Sequence, residues 1–482
     1  MRHIRGRLSA LLALSTMAFG CAATAPDRDF KGVQDAVAHR TTTAPMWPTS
    51  QEAEDAIDAR VSALLAQPLD ADAAVEIALL NNRRLRAEYA RLGFAQADLL
   101  EASQLENPAL TASAGFPRGA PGATAFDFGL TLNIVRLLTM PARQEIATAQ
   151  VDAATLSVAD EVIRISGQTR LLFLDVQAAE NLSAMLRQIA VAADTSAELA
   201  RRVQAAGNMS ELALANHESL YEQARVDYAR SAADAADLRE RLNAQLGLWA
   251  THTHWSIVDH LPELPTGEPG MADLESLAIR QRLDLAAAAK EVEVLAKAAG
   301  LQRDWRSILT TDVGFLASRD TDGQWVLGPQ VSIELPIFNQ RQPEIARLDS
   351  ARQQAEANLE ALAIETRADV RRLRDRLYAL RYEAEHYRDA ILPLRHRITE
   401  LTQREYNYML VDTFDLLSAR REEIAAYRSY LSTIHDYWAT RAELERAVGG
   451  RLPADSTGSD APTPASPAPA ANDSEMQHMG DH

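Results

Sequence analysis

One unit appears twice in this chain, about 200 residues apart, and it joins segments made for different surroundings. In each copy two strand-like segments with strict alternation lead into a glycine-poor helical run too long for an ordinary globular core. A sharp reversal and a second helical run follow. In copy one Phe126, Phe128, Leu130, Leu132 and Ile134 alternate with Asp127, Gly129, Thr131 and Asn133. In copy two Trp325, Leu327, Val331, Ile333 and Leu335 alternate with Val326, Gly328, Gln330, Ser332 and Glu334. A period of two, apolar on one side and small or polar on the other, suits a strand between lipid and water. The helical runs suit water.

The alternation predicts four strands, at 109–116, 125–135, 308–317 and 324–335. These lengths fit the roughly 9 to 11 residues that a tilted strand needs to cross a bilayer. The segments 117–124 and 318–323 are rich in turn formers, so each pair reads as a hairpin with an external loop. Phe116, Phe126 and Trp325 fall near the loop ends, as members of an aromatic belt or as ordinary strand aromatics. Four strands cannot close a barrel around a water-filled lumen, so several chains must share one.

From 142 to 261 there is no proline, and only Gly167, Gly207 and Gly247 interrupt a run rich in Ala, Leu, Glu, Gln and Arg. From 344 to 448 the only breaker is Pro393. A continuous helix over 141–206 would reach about 100 Å. Helices of that length bury an apolar stripe against neighbours in a coiled-coil-like arrangement, and the alanine content implies close backbone packing. At the first reversal Gly207 can close a helix in the left-handed region, and Asn208 with Glu211 has N-cap to N3 spacing. Asp412 and Asp415 have the same spacing in copy two, after Met409, Leu410 and Val411, an offset of 204 for both residues.

Arg2, Arg5 and Arg7 precede an apolar stretch at 8–19 that is too short to span a bilayer, so 1–20 reads as a signal peptide. No spanning hydrophobic helix follows, and a membrane crossing would have to be made by strands. The only cysteine, Cys21, stands where this segment ends and resembles the lipidated cysteine of a bacterial lipoprotein. The alternative is ordinary cleavage after Ala25, with Ala23 and Ala25 as the small-residue pair. The formal charge of −18, or −21 without the three arginines, speaks against nucleic acid or anionic lipid as partners. The end, 452–482, carries a Pro, Ala, Ser and Thr run that cannot bury a core and is expected to be disordered. It finishes with Met476, His478, Met479 and His482, where thioether and imidazole suit a soft metal such as Cu(I) or are simply solvated end sequence. His252 and His254 are weaker metal candidates.

No enzyme motif survives inspection, and the many carboxylates lie among arginines on helical runs, where solvated ion pairs are the default. Three stretches together resemble the TolC-like outer membrane efflux proteins, over 69–450. They are Leu92-Gly93-Phe94-Ala95-Gln96 to Glu106-Asn107-Pro108, the segment 331–338 with Pro336, and Asp436-Tyr437-Trp438 to Glu443-Leu444 with Gly449-Gly450. The first is most similar to the lipoprotein branch that serves heavy-metal RND efflux pumps. The resemblance implies a mainly α fold with a small membrane β-barrel: a homotrimer in the outer membrane of a Gram-negative bacterium, four strands per protomer, and a long coiled-coil α-helical barrel in the periplasm. It also implies an exit duct of a tripartite pump, with a periplasmic adaptor (membrane fusion) protein and an inner-membrane RND pump as partners. Adaptor contact would fall on the tips, at Gly207, Asn208, Met209, Ser210, Leu410 and Val411. Acidic residues just past the second reversal narrow the periplasmic entrance in relatives, and Asp415 with Asp412 matches that position, although both also serve as helix caps. No cofactor is expected beyond covalent lipid on Cys21. The expected segments are a signal peptide (1–20), a lipidated extension (21–68), two repeats (69–261 and 262–451) and the tail (452–482). Drug efflux or type I secretion uses the same duct, and a periplasmic coiled-coil scaffold or adaptor lipoprotein is the alternative of another class.

Overall fold

The computed structural model describes residues 27–116, 124–258, 261–268, 271–308, 310–320 and 322–452. Cys21, the signal segment, most of the loop after the first strand and the Met476, His478, Met479 and His482 tail lie outside the described residues.

The first half runs α1 (Asp27–Val37), α2 (Gln51–Leu65), α3 (Ala71–Asn81), α4 (Arg83–Ser103), β1 (Ala109–Gly115), β2 (Ala125–Asn133), α5 (Ile134–Ala205) and α6 (Glu211–Leu246). The second half repeats the pattern with α7 (Leu274–Gln281), α8 (Leu283–Asp304), β3 (Thr311–Arg319), β4 (Trp325–Ile333), α9 (Gln342–His386), α10 (Leu392–Asn407) and α11 (Thr413–Val448). Among the described residues the protein is thus mainly helical with one small sheet.

α5 has 72 residues, a length of about 110 Å. It starts at Ile134, seven residues before the position expected from Pro141. Asn133 ends β2 and also caps α5, its side chain accepting from the Arg136 N–H, so the chain passes from strand to helix without a loop. Ile134 and Val135 therefore belong to the helix and not to strand two. In the second half Pro393 does not break the rod. A π-helical turn at Tyr387–Ile391 precedes it, with the Leu392 N–H reaching back to the Tyr387 carbonyl. Widening one turn re-routes the bonds that a proline, lacking its N–H, disturbs.

The helix ends nearest the junction of the repeats close on glycine. Gly247 has φ +69, and a Cβ there would stand 2.6 Å from the Asn81 carbonyl oxygen. Asn81 Nδ2 in turn donates to the carbonyls of Leu246 and Gly247, at 3.0 and 2.9 Å. Gly449, with φ +88, makes a looser approach in the second half, where a Cβ would stand 3.1 Å from the Arg282 backbone. The main core gathers α1 to α6 around Phe30, Trp47 and Tyr89, whose rings lie 4.9 to 6.0 Å apart. Phe30, Val33, Val37, Ile57 and Val61 of α1 and α2 are part of it. The stretch read only as an extension thus contributes two helices to the first repeat's core. A smaller core holds Leu274, Leu373, Leu377, Tyr437 and Leu444.

Candidate functional site

The sheet has the order β1-β2-β3-β4, antiparallel throughout, with β2 against β3 joining the two repeats. Its register sorts side chains by polarity. Leu110, Leu130, Phe315 and Pro329 lie in one row across the four strands, and Ala112, Phe128, Ala317 and Leu327 in the next. The other face carries Thr111, Gly129, Leu316 and Gly328 in one row and Ser113, Asp127, Ser318 and Val326 in another. Directly paired residues share a face, so a slip of one residue would mix the two sets. On the polar face Ser113 Oγ donates to Asp127 Oδ2 at 3.0 Å and Thr111 Oγ1 to the Gly129 carbonyl at 3.3 Å. A Cβ on Gly314 would stand 2.0 Å from the Leu130 carbonyl oxygen, so glycine is required there by close approach of backbones.

Among the described residues nothing covers the apolar face: Leu110 is 74 % exposed, Phe315 70 % and Leu327 79 %. Near the loop ends Phe126, Phe128 and Trp325 stack in sequence, with successive centroids 6.4 Å apart. Phe128 is the member that alternation alone did not single out as a belt aromatic. β1 and β4 are the open edges of the sheet. No helix among the described residues is long and apolar enough to cross a membrane.

About 110 Å of helix away stand the two reversals. At the first, Gly207 has φ +78. The Asn208 N–H bonds to the Val203 carbonyl at 3.1 Å and the Gly207 N–H to that of Gln204 at 2.8 Å, the paired bonds of a Schellman ending. The cap of α6 is Ser210, whose hydroxyl accepts from the Ala213 N–H at 3.1 Å. Asn208 is therefore not the cap: it serves the end of α5, one turn earlier. At the second reversal Met409 takes the glycine's place, with φ +59, and the Leu410 N–H bonds to the Glu405 carbonyl at 2.9 Å. Asp412 caps α11, and Asp415 closes a reciprocal box: the Asp415 N–H donates to Asp412 Oδ1 at 3.0 Å and the Asp412 N–H to Asp415 Oδ2 at 3.3 Å. Matching left-handed residue to left-handed residue and cap to cap gives an offset of 202 rather than 204.

Asp412 and Asp415 are both exposed. Of the expected tip residues, Gly207, Asn208 and Ser210 are exposed, Met209 and Val411 half-buried, and Leu410 is 73 % exposed. The sequence reading missed Tyr408, Met409 and Phe414, which make the second tip strongly apolar at 78, 93 and 60 % exposed, and Leu212 beside the first. A tyrosine ahead of the Asp412 cap and a phenylalanine in the first turn after it were the available signal. His252 and His254 fall on and beside a short 3₁₀ turn at Ala250–Thr253, and no group of three or more metal-ligating residues exists among the described residues.

No family model matches the chain, and no curated protein does. Solved structures do. CusC, studied for the changes that accompany its folding and transmembrane channel formation, superposes with a TM-score of 0.65 at 18 % identity, over 79 % of this chain and 92 % of its own. The Campylobacter jejuni CmeC outer membrane channel gives 0.69 at 14 % identity, over 87 % and 92 %. The Neisseria gonorrhoeae MtrE outer membrane channel, in its open state, gives 0.62 at 16 %, over 80 % and 90 %. The chain has the TolC-like channel fold. Within this fold the two-faced sheet and the hairpin tips lie at opposite ends of the long helices.

Proposed function

We propose that the chain is the outer membrane exit duct of a tripartite efflux pump, working as a homotrimer that passes substrate from periplasm to exterior. The observation that carries this reading is the sheet register, which gathers an unpartnered apolar face on one side and the polar residues on the other, as a wall between lipid and water requires. A periplasmic scaffold or adaptor would leave that apolar face and two open strand edges in water, an arrangement prone to aggregation. Edge strands β1 and β4 close the barrel by pairing between protomers. The fold shared with solved outer membrane channels supports the same conclusion.

Heavy-metal cations are the proposed cargo, supported by the similarity of 92–108 to the heavy-metal lipoprotein branch and by the Met476, His478, Met479 and His482 ending. Cys21 carries the lipid anchor. The apolar tips dock a periplasmic adaptor, which couples the duct to an inner-membrane pump of RND type, and Asp415 with Asp412 rings the entrance. The test is reconstitution of the purified protein. Heat-modifiable trimers that conduct ions in planar bilayers are expected, and expression with a metal-type pump and its adaptor should raise copper or silver tolerance. Monomers released from membranes by carbonate, without conductance, would refute the duct. Restored drug tolerance without metal tolerance would refute the cargo.

A further inference from the structure

Where α5 passes Gly167, a cavity of about 510 Å³ opens between α5, α11, the segment following α1 and the residues that follow α11. Five arginines line it, Arg40, Arg170, Arg441, Arg446 and Arg451, against two carboxylates, Asp72 and Glu445. Asp72 is already taken by Arg170 at 2.5 Å. Burial pushes the Glu445 carboxyl above the usual carboxylate range, which weakens the second counter-charge. Arg441 divides itself between Glu268 at 3.5 Å and Glu445 at 3.9 Å. Arg446 and Arg451 form no direct ion pair among the described residues, and the buried Arg40 Nε has no hydrogen-bond partner. Gly167 makes room for one of them: a Cβ there would meet Arg446 Cδ at 3.2 Å.

A surplus of positive charge around one cavity is unexpected in a chain of formal charge −18. Guanidinium forks match the oxygens of phosphate, and several of them together suit a dianion better than a single carboxylate. Gly167 lies about 50 Å along α5 from the end of β2, which, on the proposed membrane position of the sheet, removes a bilayer headgroup as the source. We propose that this cavity binds a soluble phosphate-type oxyanion through Arg446 and Arg451, with Arg40 beside them. Because Arg40 comes from the N-terminal segment and Arg446 from α11, the bound anion ties the second repeat to that segment. The site is independent of what the duct carries.

The test is calorimetric titration of the full chain with inorganic phosphate, alongside sodium chloride at matched ionic strength. Wild type should bind phosphate and rise in thermal midpoint, with no comparable response to chloride. Arg446→Gln with Arg451→Gln should weaken binding at least tenfold, and Arg451→Gln alone, which lies outside the helices and guards against misfolding, by a smaller factor. Arg421→Gln, a surface arginine of α11, should bind as wild type. Undiminished binding in the double variant, or equal responses to phosphate and chloride, would overturn the proposal.

Discussion

The two helical hairpins share a topology and differ in what holds their distal halves together. Between α5 and α6 an apolar cluster buries Ala190, Ala193 and Ala224, with Ile189, Leu220, Tyr221 and Tyr228 packed around them, and polar bonds join it only nearer the tip, Ser196 Oγ lying 3.0 Å from His217 Nδ1 and Arg201 Nε donating to Glu218 Oε1 at 2.9 Å. Between α10 and α11 it is a polar ladder, with Arg395 against Glu422, His396 Nδ1 2.9 Å from Glu423 Oε1, and Thr399 Oγ1 donating to the Ala419 carbonyl at 3.4 Å. The first hairpin turns on a glycine at φ +78, where no strain arises. The second turns on Met409 at φ +59, in a conformation that costs a non-glycine residue about 1 to 2 kcal/mol. Its outgoing rod also contains the π-helical turn that α5 lacks. Apolar packing is non-directional and indifferent to salt, whereas ion pairs at the surface are screened. The first hairpin therefore keeps an apolar section that salt does not screen, and the second is the one that solution conditions can shift further.

The largest expected effect separates the two interiors. Ala193→Asp should bury an unpaired carboxylate between α5 and α6, at a cost of about 2 kcal/mol or more. Thr399→Val, of similar shape, removes only a hydroxyl bonded to the carbonyls of Arg395 and Ala419, and about 1 kcal/mol is expected. Denaturant unfolding of both variants checks the ranking, and equal costs would erase the distinction. The turns should respond with opposite signs. Gly207→Ala should destabilise and Met409→Gly should stabilise, each by about 1 kcal/mol, read as shifts of thermal midpoint. A stabilised Gly207→Ala would mean that the two turns do not differ as described.

A smaller effect concerns a link between the halves. His435 of α11 lies 2.7 Å from Asp175 Oδ1 of α5 and 3.1 Å from its neighbour Asp436 Oδ1. The bond to Asp175 raises its pKa above the ordinary 6.5, against a desolvation that lowers it. A raised value in the folded state means stabilisation that is complete below the unfolded pKa and lost as pH rises through the folded one. Thermal midpoint should accordingly fall across neutral and mildly alkaline pH in wild type and lose that component in His435→Gln, an amount below about 1 kcal/mol. A pH profile identical in both proteins would dismiss the link. Least in stability, though not in conduction, is Asp415→Asn. It keeps much of the capping box at a loss of about 1 kcal/mol or less, and trimers in planar bilayers should lose cation preference and sensitivity to divalent blockers. Unchanged selectivity would leave Asp415 as a cap alone.

The strands were legible because their pattern answers to a global constraint. A face between lipid and water must alternate over its whole length, so β2 and β4 fall within two residues of their predicted ends. Strand three is displaced by up to three residues, to Thr311–Arg319, because the turn after α8 continues through the bond from the Ile308 N–H to the Trp305 carbonyl. The reversals were legible as places and not as registers. Asn208 and Ser210 are equally good cap formers, and only the Schellman bonds, which employ the Asn208 N–H, show which helix each serves. Met409 carries no signal for the left-handed region, where the helix-ending bonds from its own N–H to the Tyr406 carbonyl and from the Leu410 N–H to the Glu405 carbonyl hold it against its preference. Pro141 suggested a helix start, yet lies inside α5, which Asn133 already caps. The α1 helix could have been found from Phe30, Val33 and Val37, spaced at three and four residues on one face.

The central claim is that β2 is a wall between lipid and water, and cysteine accessibility tests it most directly. Single cysteines would be placed at Leu130, Thr131, Leu132 and Asn133 in a Cys21→Ala background, and labelled with a membrane-impermeant thiol reagent in reconstituted bilayers. Labelling at Thr131 and Asn133 with loss of conductance, and protection at Leu130 and Leu132, is the expected result. Equal labelling at all four positions, or labelling in the opposite phase, would contradict the account.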